Sequence, residues 1–197
     1  MNQIFKKNLN ELSEAVNQLE IFNDKIEQAA SLIAEAFSHN NKLLLCGNGG
    51  SAAEAQHIAA EYVSSLRHEF KRKSLPAIAL TTDTSFITAS GNDYGFDTIF
   101  QRQIESLGNN GDILIAISTS GNSKNVIKGI ETAKENGLKI IGLTGRSGGS
   151  MKKLCDILFN VSIDDTGRIQ ECHLLLEHTI VELVESKLFR IKCEQEK

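Results

Sequence analysis

One proline, Pro76, serves the whole chain of 197 residues, so Pro-rich interdomain linkers are excluded. The four cysteines, Cys46, Cys155, Cys172 and Cys193, form no C-x-x-C pair, which argues against a zinc knuckle or a disulfide framework. Positive charge is not in excess: the net charge is −4, leaving no general electrostatic attraction to nucleic acid or anionic lipid. No apolar run approaches the ~20 residues of a membrane helix. The first residues, MNQIFKKNLNELSEAV, carry charge throughout and lack the apolar core of a signal peptide, so a reduced cytoplasm is expected. There is also no G-x-x-x-x-G-K-[ST], the loop of nucleoside triphosphatases.

What is present is an ordinary globular balance, 41% hydrophobic and 23% charged, which excludes a disordered chain. The length is that of one domain, or of one domain with a helical extension. Residues 2–38 place Leu9, Leu12, Val16, Leu19, Ile26, Ala29, Ile33 and Ala36 at helical spacing, and the Asn23-Asp24 pair predicts a break into two helices. Beyond them, short apolar runs recur at Lys42–Cys46, Ala77–Leu80, Ile113–Ile117, Lys139–Leu143 and Ile157–Val161, most of them separated by room for a crossover helix. Such runs read as strands buried on both faces of a parallel sheet. Right-handed crossovers then predict an α/β, doubly wound, three-layer αβα sandwich around five parallel strands, with residues 1–38 as a helical extension and residues 39–197 as the main domain. The long apolar helix expected over Arg168–Phe189, together with the first helices, offers more apolar surface than one small sheet covers, which predicts a homo-oligomer.

Ligands of open α/β sheets bind beyond the carboxyl ends of the strands. Two loops fall there. Gly47-Asn48-Gly49-Gly50-Ser51 follows the first strand and opens a helix, where glycines admit a close ligand and free N–H groups attract an anion. It is either a tight strand-to-helix turn or a ligand cradle. Gly47, Gly49 and Ala52 also fit the dinucleotide fingerprint, but the acid expected about 20 residues on is missing, since the next strand ends near Asp83. In the second loop, Ser118, Thr119, Ser120 and Ser123 converge on another helix start, more hydroxyls than capping requires, and predict a phosphate cradle for a sugar phosphate. His57 and Glu61, four apart on the helix opened by the glycine loop, suit a metal pair, an acid/base pair or an exposed polar pair. Gln170 and His178 lie on a related face of the last helix. His173 with Glu177 reads as a solvated or interface pair, His39 and His68 as surface residues, and Arg67–Lys73 as a solvated basic loop.

Taken in order, CGNGGSAAEAQHIAAEYV, LPAIALTTDTS, GNDYGF, ISTSGNS, LTGRSGG and RIQECH resemble the sugar isomerase (SIS) domain family, over about Lys42 to Glu185. The resemblance implies a cytoplasmic homotetramer with active sites shared between subunits. It implies conversion of D-sedoheptulose 7-phosphate to D-glycero-D-manno-heptopyranose 7-phosphate, the first step toward ADP-heptose for lipopolysaccharide. By motif, Asn48, Gly49, Gly50, Ser51, Asn92 and Asp93 would line the substrate site, Ser118, Thr119, Ser120 and Ser123 would hold phosphate, and Glu61 and Gln170 would also touch substrate. His57, Glu61, Gln170 and His178 match the family's zinc ligands, one ion per subunit. Glu61 is the expected base and His178 its acid/base counterpart. Many relatives carry Arg near the end of the helix after the glycine loop, where this chain has Ser65 and then Arg67. Glu54 stands where Asp is commoner and Gly167 where Ala is frequent, both expected to lie away from the chemistry. Two non-enzymatic alternatives share the fold: an interaction protein of the type that associates with the replication initiator DnaA, which lacks Glu61 and His178, and a sugar-phosphate sensor, which needs no Glu61.

Overall fold

The structure is a computed structural model that describes residues 2–189; Cys193 lies outside them. Five strands, β1 (Leu43–Gly47), β2 (Ala77–Ala79), β3 (Ile113–Ile117), β4 (Lys139–Gly145) and β5 (Ile157–Val161), form one sheet. Their order is β2-β1-β3-β4-β5 and every pairing is parallel. The strand order reverses between β1 and β3, the place where a doubly wound sheet opens a crevice for ligands.

Side-chain alternation sorts the helices into two layers. Leu43 and Leu45 of β1, with Ile113, Ile115 and Ile117 of β3, face α1 (Gln3–Asn17), α2 (Asn23–Ser38), α3 (Gly50–Val63) and α7 (Thr166–Phe189). Leu44, Cys46, Leu114 and Ala116 point the other way, against α5 (Ile99–Leu107), α6 (Lys124–Glu135) and Ile87 of α4 (Thr84–Tyr94). Both faces are dry, which is why the strands read as continuous apolar runs.

The helical break near Asn23 takes a form that the capping argument does not anticipate. Residues Gln18–Phe22 wind as a 3-10 turn, and α2 begins at Asn23 with Phe22 at its N-cap and no side-chain cap bond. The backbone keeps right-handed helical angles through Asn17 and Asn23, so the chain tightens there and no capping is needed. The long stretch between β2 and β3 holds two helices, α4 and α5. Asp83, weighed against a ribose-binding acid, caps α4 by accepting from the Phe86 N–H at 2.9 Å.

The first helices pack on the last, α1 and α2 both lying against α7. Ile4, Phe5 and Leu9 on α1 nevertheless remain 69%, 57% and 49% exposed. Cys46, Cys155 and Cys172 are free thiols, and burial pushes Cys46 and Cys155 up to about 12, which excludes both as thiolate nucleophiles at neutral pH.

Candidate active site

The glycine loop turns β1 into α3 through Gly49, whose φ of 56° and ψ of −119° belong to a backbone region that only glycine enters freely. Gly50 is required for a different reason: a Cβ there would come within 2.5 Å of Nε2 of Gln170, so the amide of α7 lies directly on the start of α3. Ser51 is buried in the first turn. Asn48 does more than line the loop. It donates to Oδ1 of Asn125 at 2.9 Å and accepts from Nδ2 of the same residue at 2.8 Å. Oδ1 of Asn125 also receives the Val126 N–H at 2.9 Å. This buried residue of α6 ties the two crevice loops together. Its only sequence signal is a polar side chain one turn ahead of the apolar face of a helix, and the sequence reading passes over it.

In the hydroxyl loop, Ser118 and Ser123 bring their Oγ atoms to 2.9 Å and Ser118 and Ser120 to 3.4 Å. Ser123 occupies the N-cap of α6 without making a side-chain cap bond, so capping does not consume this hydroxyl. Three hydroxyls thus meet at a helix amino terminus, an arrangement that suits an anion. Thr119 lines a cleft of about 210 Å³ with Arg146 and Ser147. Asn92 and Asp93 sit exposed at the end of α4, where Nδ2 of Asn92 donates to Oδ1 of Asp93 at 2.8 Å.

His57 and Glu61 share one face of α3, and α7 delivers His178 to it. Nε2 of His57 is 2.8 Å from Nε2 of His178 and 3.6 Å from Oε1 of Glu61. One ligand atom from each of the three lies within 4.8 Å of the others. The rings meet edge to face at 5.1 Å between centroids. Burial, then the neighbouring His57, holds the His178 imidazole below its ordinary value, so it is neutral near pH 7 and able to accept a proton or bind a cation. Two imidazole nitrogens and a carboxylate are the donor set that suits zinc. Gln170 lines a cleft of about 430 Å³ with His57, Glu54 and Gly50.

Three expectations need correcting. His173 and Glu177 are not a solvated pair: both are buried, and with Glu54 they form a polar cluster under this cleft. Nε2 of His173 donates to the Thr144 carbonyl at 3.1 Å, which leaves Nδ1 as an acceptor 3.9 Å from Oε1 of Glu54. Burial lowers His173 to about 4 and raises both carboxyls, Glu54 to about 7, so each group is shifted toward its neutral form. The pair lies off the exposed stripe of α7, which runs through Glu171, Leu175 and Glu182, and so falls on the side covered by the rest of the fold. Second, Glu54 and Gly167 both line the same cleft as His57 and Gln170, so neither lies apart from those residues. Third, the basic loop is not solvated throughout, because the Arg72 side chain is fully buried against Glu185. Arg67 pairs with Glu182 at 2.7 Å on the surface, while His39 and His68 are exposed.

A doubly wound parallel 2-1-3-4-5 sheet makes this an α/β protein with its loops gathered at the strand ends, and the chain belongs to the SIS domain family, which it matches over residues 5–145. It is 54% identical to the phosphoheptose isomerase of Aliarcobacter butzleri, across 86% of this chain and 89% of that one. Among solved structures it is similar to the phosphoheptose isomerase of Neisseria gonorrhoeae, with a TM-score of 0.88 and 44% identity over 93% of this chain and 98% of that one. The corresponding enzyme of Francisella tularensis superposes with a TM-score of 0.84 at 38% identity, over 94% and 100% of the two chains.

Proposed function

We infer that the protein is a phosphoheptose isomerase, an aldose–ketose isomerase converting D-sedoheptulose 7-phosphate to D-glycero-D-manno-heptopyranose 7-phosphate, the first step toward ADP-heptose. The observation that carries the site assignment is the meeting of Glu61 and His178, from helices far apart in sequence, within 4.8 Å. The initiator-associating type of relative lacks both side chains, and a sensor would not need them.

The chemistry follows from these groups. Glu61 removes a proton from C1 of the bound ketose while neutral His178 gives its ring N–H proton to the C2 carbonyl oxygen, leaving a 1,2-ene-diol. Returning the carbon-bound proton to C2 as the O1 proton departs to His178 leaves the aldehyde at C1. The hydroxyls of Ser118, Ser120 and Ser123 hold the phosphate at the far end of the sugar, and the remote binding energy orients the reacting carbons. Thr119, Ser51, Asn48, Gly49, Gly50, Asn92, Asp93 and Gln170 complete the substrate surface in this reading.

Zinc fits the His57, Glu61 and His178 set, with Gln170 as a fourth ligand, and when bound it would supply positive charge beside the developing oxyanion. A carboxylate held by zinc is a weaker base, so the two roles of Glu61 compete.

We place the protein in the cytoplasm as a homotetramer with shared active sites, and assign residues 1–38 to its interface. The exposed Ile4, Phe5 and Leu9 support that role. Among the described residues no helix is long and apolar enough to cross a membrane. Incubation with sedoheptulose 7-phosphate and NMR identification of the product tests the reading; unaltered substrate would overturn it.

A further inference from the structure

The last four carbonyls of any helix lack partners within it. In α3 these belong to Ala60, Glu61, Tyr62 and Val63, the turn that carries the proposed base. Each is satisfied from beyond the helix. The Ser64 N–H takes Ala60 at 2.8 Å and the Ser74 hydroxyl takes Val63 at 2.7 Å. One side chain reaches both central carbonyls: Nη2 of Arg72 donates to the Glu61 carbonyl at 2.7 Å and Nη1 to that of Tyr62 at 2.8 Å, where the Leu75 N–H also donates at 3.1 Å. A third nitrogen, Nε, donates to Oε1 of Glu185 on α7 at 2.5 Å.

This guanidinium is fully buried and its partner carboxylate is 4% exposed. No basic residue stands in the last turn of α3 itself, so Arg72 also supplies the cation that the negative end of the helix favours. A lysine cannot replace that geometry. One ammonium group does not span two successive carbonyls and a carboxylate with the planar fork of arginine.

We propose that Arg72 is a positioning residue for Glu61: it bolts the carbonyl of that very residue to Glu185 of α7, the helix that brings His178, and so sets the spacing between base and acid. Seven residues, about two turns, separate His178 from Glu185, so one rigid helix carries both the acid and the anchor of the base. The inference rests on the isomerase reading, because it assigns a purpose to a distance that matters only if Glu61 and His178 act on one substrate.

The test combines crystal structures and kinetics of Arg72→Lys, with Lys71→Ala in the same loop as an exposed control. Folding is checked by thermal melting and oligomeric state. The expected result is a folded Arg72→Lys protein in which the Glu61 carboxylate and the His178 imidazole no longer lie within 4.8 Å of one another. Its kcat should fall roughly 10- to 100-fold while KM stays within about twofold, since misplacing a catalytic group by about 1 Å costs up to about 100-fold. A folded variant with wild-type kcat, or with the separation unchanged, would overturn the proposal. Should Arg72→Lys fail to fold, Glu185→Asp draws the anchor back by one methylene and must also lower kcat; unchanged turnover overturns the proposal equally. If the wild-type protein leaves heptose phosphate untouched, the isomerase reading fails, while the crystallographic distance still decides whether Arg72 places Glu61.

Discussion

Nε2 of His57 and Nε2 of His178 stand 2.8 Å apart, although 121 residues separate them along the chain. At that distance one ring donates and the other accepts, so the pair carries one hydrogen between two nitrogens. A cation entering between them must displace that hydrogen. Removal of metal by a chelator, followed by return of zinc, measures what the ion contributes to turnover. Titration calorimetry should register zinc binding to the wild-type protein with release of protons, and a large loss of affinity in His57→Ala. Equal affinity in both proteins would remove this trio as the metal site.

Glu61→Gln keeps the shape of the side chain and removes its basicity. Loss of a general base costs about 100- to 10,000-fold. The expectation is a kcat reduced within that range while inorganic phosphate still binds with near wild-type affinity. Retained turnover would assign proton abstraction elsewhere.

The hydroxyl loop makes a separable contribution. A hydrogen bond to a charged group contributes about 1.5–3 kcal/mol. Ser120→Ala and Ser123→Ala should therefore each raise KM for the phosphorylated sugar roughly 10- to 100-fold. An unchanged KM in both variants would mean that the phosphate sits outside this cradle.

The Asn48–Asn125 pair predicts coupling between the two crevice loops. Asn125→Ala leaves both polar atoms of the Asn48 amide without their partner and frees the Val126 N–H. Leaving buried polar groups unpaired costs about 1–3 kcal/mol each. Urea denaturation should show a loss of that order, with KM rising because Asn48 is no longer oriented. Full stability would show that water replaces the partner.

The buried cluster of Glu54, Glu177 and His173 shapes stability against pH. Burial raises Glu54 from 4.5 to about 7, so the folded state holds its proton longer than the unfolded chain does. That contribution is complete below the unfolded value and is lost as pH rises from 4.5 to about 7. His173 runs the other way. Lowered from 6.5 to about 4, it favours folding above 6.5, and that benefit disappears as pH falls through about 4. Glu54→Gln should make the decline in urea midpoint between pH 5 and 7 shallower and leave the acid-side decline in place. Parallel profiles for the two proteins would show that Glu54 ionises without cost.

Much of this was legible because it is local. A Gly-rich turn after an apolar run, a serine cluster ahead of a helix and an i,i+4 His–Glu pair each depend on neighbours within a few residues. The five apolar runs alternate with helices as parallel pairing requires, and the described strands fall where those runs lie. The four-residue spacing of His57 and Glu61 already places them on one face of α3.

The composition, the order of strands and helices and the two loops at the strand ends were determined by the sequence itself, because backbone preference and short-range periodicity act before any tertiary contact forms. Only the folded structure decided that Arg72 is buried, that Glu54 faces Glu177 and His173, and that Asn125 grips Asn48. Those outcomes hang on how α3 lies against α7 and how α6 meets the loop after β1. A charged or polar residue looks the same in a sequence whether water or another helix will finally meet it.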